Sequence, residues 1–384
     1  MGQVAGGSGA RSAAERFALG GRIVSVAPLG EGHINATYAV VAGGAAERRR
    51  YVLQRMNRTV FLDPETVIRN AERVAAHVAA RVRDEGGDPE REALSYVPTR
   101  DGESFLRDAE GEVWRCSRRI EGASVPTALT GPSQAYAVAE TFGRFLHRLA
   151  DFPPGELEVG LPGFHEADGY LRALRDVAGR DPLHRAAGAG REIAFIEGRS
   201  GDIEAWAALL ASGELPRRTI HGDTKINNVL LDDETGRGVC AIDLDTVMAG
   251  SPLIDIGDCS RSTLAWPEDI EKEVDLRLFG AVVRGFANEA GSLLGAAEVE
   301  RIVEATRALA LELAARFLAD FLAGDRWFPV ARPGVNLARC RVQIELVRGI
   351  EARRREMEKI VRRAELAFRA RMRQDPERTK GEHA

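Results

Sequence analysis

At 384 residues the chain is longer than one hydrophobic core usually serves, and its 44% hydrophobic content is enough to fill two. A net charge of −5 gives no ground for nucleic acid or an anionic membrane as main partner, no uncharged apolar run is long enough to span a bilayer, and Met1 to Ala14 holds no apolar core of signal-peptide length. Cys116, Cys240, Cys259 and Cys340 are irregularly spaced, with no Cys-x-x-Cys pair or accompanying histidine set, which predicts buried reduced thiols in a soluble cytoplasmic protein.

Residues 1–14 are rich in glycine and poor in large apolar side chains, predicting a flexible tail with order beginning near Phe17. Two β-rich runs, 22–26 and 36–41, flank Gly30-Glu31-Gly32-His33-Ile34-Asn35. This strand, glycine loop and strand is the arrangement in which backbone amides cover nucleotide phosphates, and an ordinary hairpin turn has the same appearance. Gln54 closes the next apolar strand, where a kinase strand carries lysine. Its neighbour Arg55 points to the opposite face unless a bulge shifts the register. An apolar stripe at helical spacing over 66–83 predicts a helix, on which Glu72 either faces the site and hydrogen-bonds Gln54 or is a solvated surface residue.

Hairpins are expected over 93–119, followed by a hinge at Trp114 to Gly122, where main-chain groups from Arg118 to Ile120 would hold adenine. The boundary is placed after residue 122: 15–122 as a nucleotide-binding unit, 123–384 as a helical unit for catalysis and substrate. Helical patterns begin at Pro132, resume over 166–211 after a Pro- and Gly-punctuated stretch, and recur at about 253–262, 268–288, 297–324 and 336–372. The arginines of the last pattern alternate with glutamates, as on a solvated helix face.

Between these helices lies His221-Gly222-Asp223-Thr224-Lys225-Ile226-Asn227-Asn228, His-x-Asp followed five residues later by Asn. This is the kinase catalytic-loop spacing: Asp223 would accept the substrate hydroxyl proton, Asn228 would hold Mg²⁺, and Lys225 would face the transferred phosphoryl group. A strand, 239–243, ends at Asp243, the second expected metal carboxylate. Asp245 would share its side if the segment is extended, touching a metal or the acceptor, or serving as a hydrogen-bonded structural residue. The expected fold is α+β, bilobal and protein-kinase-like, with ATP and Mg²⁺ as cofactors.

The catalytic loop, Ile242-Asp243-Leu244-Asp245, and Gly250 through Asp258 resemble the aminoglycoside phosphotransferase and choline kinase superfamily. With Gly30 to Asn35, Tyr51 to Asn57 and Arg316 to Leu322, they are most similar to its N-acetylhexosamine 1-kinases. The resemblance spans from about the first glycine loop to residue 350. It implies that Asp255 and Asp258 brace the catalytic loop, and that the acceptor is a neutral sugar phosphorylated at its anomeric hydroxyl. Arg316 and Asp320, four apart, either bind sugar hydroxyls together or form a plain ion pair; Trp327 either stacks on a sugar ring or fills the core. A kinase for another small alcohol or amine, and a non-catalytic nucleotide-binding relative suggested by Gln54, are the competing readings. The partner is a small molecule and the protein a monomer or homodimer.

Overall fold

The computed structural model describes residues 7–30, 34–44, 47–265, 273–328, 330 and 332–374. The chain divides into two compact units: 1–123 with 155–162 and 242–248, and 124–154 with 163–241 and 249–384. The first is an antiparallel-sheet unit and the second is mainly helical, so the protein is α+β. Two short segments from beyond residue 122 thus belong to the first unit.

In the first unit, helix α1 (Gly7–Glu15) precedes strands β1 (Ile23–Pro28), β2 (Ala36–Gly43) and β3 (Arg48–Arg55), helices α2 (Pro64–Asp84) and α3 (Pro89–Glu92), and strands β4 (Leu106–Arg107) and β5 (Val113–Arg118). The sheet order is β1-β2-β3-β5-β4. Alternation along β2 and β3 turns Tyr38, Val40, Tyr51 and Leu53 into one core with Trp114 and Phe17. Residues 7–15 are helical rather than a tail, because Ala10, Ala13 and Ala14 lie in that same core, a stripe too small in side-chain volume to register as apolar in the sequence. Helix α2 starts where Asp63 accepts from the Thr66 N–H at 3.1 Å and Pro64 needs no donor. Its buried Val67 and Ile68 pack with Met56, Phe61 and Val113.

The second unit follows the two-residue strand β6 (Ala123–Ser124). It contains α4 (Pro132–Arg148), α5 (Ala167–Arg180), α6 (Gly190–Glu197), α7 (Ser200–Ala211), then β7 (Arg218–Ile220), β8 (Val229–Asp232) and β9 (Gly238–Ala241). After β10 (Met248–Gly250) come α8 (Pro252–Leu264), α9 (Leu276–Ala290), α10 (Ala296–Val299), α11 (Ile302–Ala323) and α12 (Val335–Gln374). The pattern expected at 268–288 begins at Leu276, and 266–272 lie outside the described residues. Helix α8 is buried along its whole length and packs on α11 at Gly257, where an added Cβ would stand 3.0 Å from the Ala305 backbone. The N-terminal half of α8 meets the loop between β7 and β8 through Asp255. Helix α12 buries one stripe, Val347, Ile350, Met357, Val361 and Ala364, and its exposed arginines pair with glutamates one turn away, as at Arg354–Glu358 and Arg369–Glu365. The four cysteines are free and buried, and no described helix is long and apolar enough to cross a membrane.

Candidate active site

The catalytic-loop sequence lies in the second unit, between β7 and β8. Asp255 of α8 accepts from the N–H groups of His221 and Gly222, at 2.9 and 2.8 Å, and its carbonyl accepts from the Thr224 hydroxyl. The Ile226 N–H donates to Ser262 Oγ, about two turns further along the same face of α8. His221 is buried edge-on between Phe142 and Phe145, so it orients the loop rather than meeting a substrate. Asp255 therefore braces the loop, as the resemblance implies, whereas Asp258 pairs with Arg261 on its own helix. Burial pushes the Asp255 carboxyl up, against the pull of His221 and the two backbone donors.

Asp223 is the convergence point of this loop. Its Oδ2 accepts from Lys225 Nζ at 2.6 Å and from Asn228 Nδ2 at 3.0 Å, and Asn228 Nδ2 also reaches the Asp223 carbonyl at 2.8 Å. Burial works against the ionised carboxylate, but Lys225, His221 and Arg261 outweigh it and hold Asp223 below the usual aspartate range. It is thus an ionised acceptor at neutral pH. Turning its amide nitrogen to Asp223 leaves Asn228 an amide oxygen as its remaining polar atom, a hard donor of the type Mg²⁺ takes.

Asp243 belongs to the first unit. It does not end a strand: β9 stops at Ala241, and Asp243 has φ 64, a left-handed conformation, before a 3-10 turn at Leu244–Thr246. Such backbone strain at a non-glycine residue concentrates at functional positions. The segment turns at Leu244–Thr246, so the extended chain that would set Asp245 beside Asp243 is not formed. Asp245 is buried, its carboxylate in direct ion-pair contact with Arg115 and accepting from Asn35 Nδ2 at 2.9 Å. Burial pulls the Arg115 guanidinium down and Asp245 more than reverses it, so Arg115 stays charged.

Arg115 also explains Gln54. The two are direct cross-strand partners in β3 and β5, and Arg115 Nε donates to Gln54 Oε1 at 2.9 Å, while Gln54 Nε2 reaches Thr37 Oγ1 at 3.4 Å. Gln54 is therefore committed within the sheet rather than turned to a phosphate. The register of β2 and β3 runs unbroken from Arg48 to Arg55, so no bulge brings Arg55 round; Arg55 lies over Trp114 instead. Glu72 is half-buried and hydrogen-bonded with Ser104, not with Gln54, and burial pushes its carboxyl up despite that bond.

Of the expected nucleotide contacts, Gly30 has φ 66, as a tight turn requires, while Gly32 and His33 lie outside the described residues. The Arg118 N–H donates to the Ser95 carbonyl and its side chain to Glu90 of α3, so both are engaged within the first unit; Ile120 follows, buried.

On the acceptor side, Arg316 and Asp320 do not act together. Asp320 Oδ1 accepts from the N–H groups of Arg326 and Trp327, and Oδ2 from Phe328 N–H and Asn336 Nδ2, all at 2.8 to 3.0 Å. It folds the chain back after α11 ends at left-handed Gly324, with both of its oxygens engaged in that turn. Arg316 instead lies over the rings of Tyr170, Phe164 and Phe328, with centroids at 4.8, 5.2 and 5.5 Å, while Trp327 is exposed. Sequence reasoning missed His165 and Glu312: His165 Nδ1 is 3.0 Å from Glu312 Oε1, and Nε2 is 2.7 Å from the Gly222 carbonyl. A histidine at φ 61 directly after Phe164 leaves no periodic signal.

A sequence model described as "APH: Phosphotransferase enzyme family" matches residues 25–294. The fold is similar to that of an aminoglycoside phosphotransferase from Alicyclobacillus acidocaldarius at 14% identity and TM-score 0.55, covering 96% of each chain. It is also similar to a microcompartment-associated aminopropanol kinase, at 16% identity and TM-score 0.56, over 91% of this chain and 98% of that one. A Plasmodium vivax ethanolamine kinase aligns at 10% identity and TM-score 0.53, over 85% and 84% of the two chains. At these identities the likeness is one of fold.

Proposed function

The chain belongs to the phosphotransferase enzyme family and is a small-molecule kinase, and from that premise we propose that it transfers the γ-phosphoryl group of ATP to the anomeric hydroxyl of an N-acetylated hexosamine. The observation that carries phosphoryl transfer is the convergence of Lys225 and Asn228 on one oxygen of Asp223, in a loop held by α8. Asp223 receives the hydroxyl proton as the new P–O bond forms and the bond to the leaving diphosphate breaks. Its lowered basicity suits a loose transition state, in which the proton moves late and the carboxylate chiefly orients the nucleophile. Lys225 exchanges its contact with Asp223 for the γ-phosphate, neutralising charge on the equatorial oxygens and freeing the carboxylate for the acceptor.

The amide oxygen of Asn228 in the second unit and the carboxylate of Asp243 in the first are each hard oxygen donors of the kind Mg²⁺ takes, and they are the residues that would hold it. Bound there, Mg²⁺ would neutralise the charge of the phosphates as the γ-phosphoryl group departs. In the first unit, adenine contacts are assigned to the main chain at Ile120 and phosphate contacts to the glycine loop that starts at Gly30.

The acceptor assignment is supported by Arg316, a fixed cation framed by aromatic rings on the same helix as Glu312. Such a group donates to hydroxyl and acetamide oxygens and repels ammonium groups, which disfavours aminoglycosides, choline and ethanolamine. Trp327 adds an exposed aromatic face for a sugar ring. The test is ATP turnover with N-acetylglucosamine, N-acetylgalactosamine, choline, ethanolamine, homoserine and aminoglycosides in parallel. Turnover confined to the amines removes the sugar assignment.

A further inference from the structure

The loop carrying Asp223 is gripped on its far side by a pair that the transfer chemistry itself does not call for. His165, in the turn ahead of α5, is buried and left-handed, at φ 61, and faces left-handed Gly222 at φ 80. Its Nδ1 lies 3.0 Å from Glu312 Oε1 and its Nε2 2.7 Å from the Gly222 carbonyl oxygen. A carboxylate and a carbonyl only accept, so the ring satisfies both when each nitrogen carries a proton. The carbonyl belongs to the peptide that leads into Asp223, and the N–H of that peptide donates to His221 Nδ1 at 3.2 Å. The two histidines therefore hold the two ends of one peptide plane. We propose that His165, kept as an imidazolium by Glu312, is a positioning residue that fixes this plane and with it the direction of the Asp223 carboxylate; the proposal rests on Asp223 being the base.

The surroundings agree. Burial pulls the His165 imidazole down, and Glu312 from α11, the Gly222 carbonyl and Asp258 from α8 together more than reverse it. Asp258 is itself paired with Arg261, Tyr170 of α5 interacts with the His165 backbone, and the Phe164 ring lies 4.2 Å from the imidazole. Arg316 Nη1 stands 3.9 Å from the same Glu312 oxygen, so the guanidinium assigned to the acceptor leans on the brace. Misplacing a reacting group by about 1 Å costs on the order of 10²-fold in rate, which is the scale on which such a brace acts.

The experiment has two arms on the full chain. Imidazole ¹⁵N NMR, with His165 identified by its loss in His165→Gln, should find both ring nitrogens protonated at pH 7 and a titration midpoint above the ordinary histidine value of about 6.5. Glu312→Gln should bring that midpoint down. A neutral His165 at pH 7, or a midpoint that Glu312→Gln does not move, overturns the proposal. In the second arm, kcat is followed against pH on whichever acceptor the parent phosphorylates. His165→Ala should lower kcat by about 10²-fold with the KM for ATP unchanged, and His165→Gln, whose amide can donate to Gly222, should recover part of it. Glu312→Gln should displace the alkaline limb of kcat. Loss of thermal stability with kcat per folded molecule unchanged in all three variants also overturns it. If no acceptor is phosphorylated, the functional reading fails, and the NMR arm still decides the pair.

Discussion

Removing the Arg115 side chain should expose how much the first unit depends on one buried charge. Arg115 and Asp245 are 3% and 4% exposed at their side chains, so solvent cannot take over for either. Arg115→Met keeps the aliphatic bulk and leaves the Asp245 carboxylate buried with Asn35 as its remaining hydrogen-bond donor. Breaking a buried pair from one side typically costs about 3–5 kcal/mol, and the orphaned Gln54 carbonyl adds up to about 1–3 kcal/mol if it finds no new donor. Neutralising the other side as well, in Arg115→Met with Asp245→Asn, removes the uncompensated charge and should restore most of the loss. Urea unfolding of the four proteins gives the coupling energy directly, provided the m-values agree. The activity readout should not recover in step, because Asp243 lies two residues before Asp245 in the turn this pair anchors. A single variant within about 1 kcal/mol of the parent, or a double variant no more stable than Arg115→Met, would refute the reasoning.

Asp223→Asn should keep nucleotide binding and lose about 10² to 10⁴ in kcat, and turnover near the parent's would show the base is misassigned. Because the Asp223 carboxyl is held low, its ionised form adds stability above the unfolded aspartate value, and that contribution disappears as pH falls through the folded value. The stability difference between parent and Asp223→Asn, followed by denaturation from pH 7 downward, should therefore shrink in acid. Asn228→Ala and Asp243→Ala should each raise the Mg²⁺ requirement and abolish transfer at ordinary Mg²⁺; unaltered activity in excess EDTA contradicts both assignments. Asp320→Ala should destabilise the fold by several kcal/mol, since three backbone donors lose their acceptor at once. An effect confined to the sugar KM, with stability unchanged, would return Asp320 to the acceptor site.

What was legible in the sequence was local. The catalytic loop could be read because its working side chains fall within one short stretch whose spacing reports geometry, and the bracing by Asp255 follows from residues directly downstream. Helix spans such as α2 and α8 were visible because caps and apolar stripes are also local. The strand expected to run to Asp243 stops at Ala241, because left-handed Asp243 leads into a 3-10 turn that no local spacing announces. Arg316 and Asp320 sit at ion-pair spacing, yet the chain reverses at Gly324 and brings backbone donors onto Asp320. Arg115 and Gln54 meet only through the β3–β5 register, and His165 and Glu312 only through packing of α11 beside the loop. Long-range partners of that kind carry no spacing to read.

The proposed reaction moves phosphate from ATP to the anomeric hydroxyl of an N-acetylhexosamine with Asp223 as the base. Phosphorus NMR of the product made by the parent enzyme from ATP, Mg²⁺ and N-acetylglucosamine or N-acetylgalactosamine tests it most directly. The parent should give a sugar 1-phosphate, and Asp223→Asn none above background. A 6-phosphate, or product formed equally well by Asp223→Asn, would contradict it.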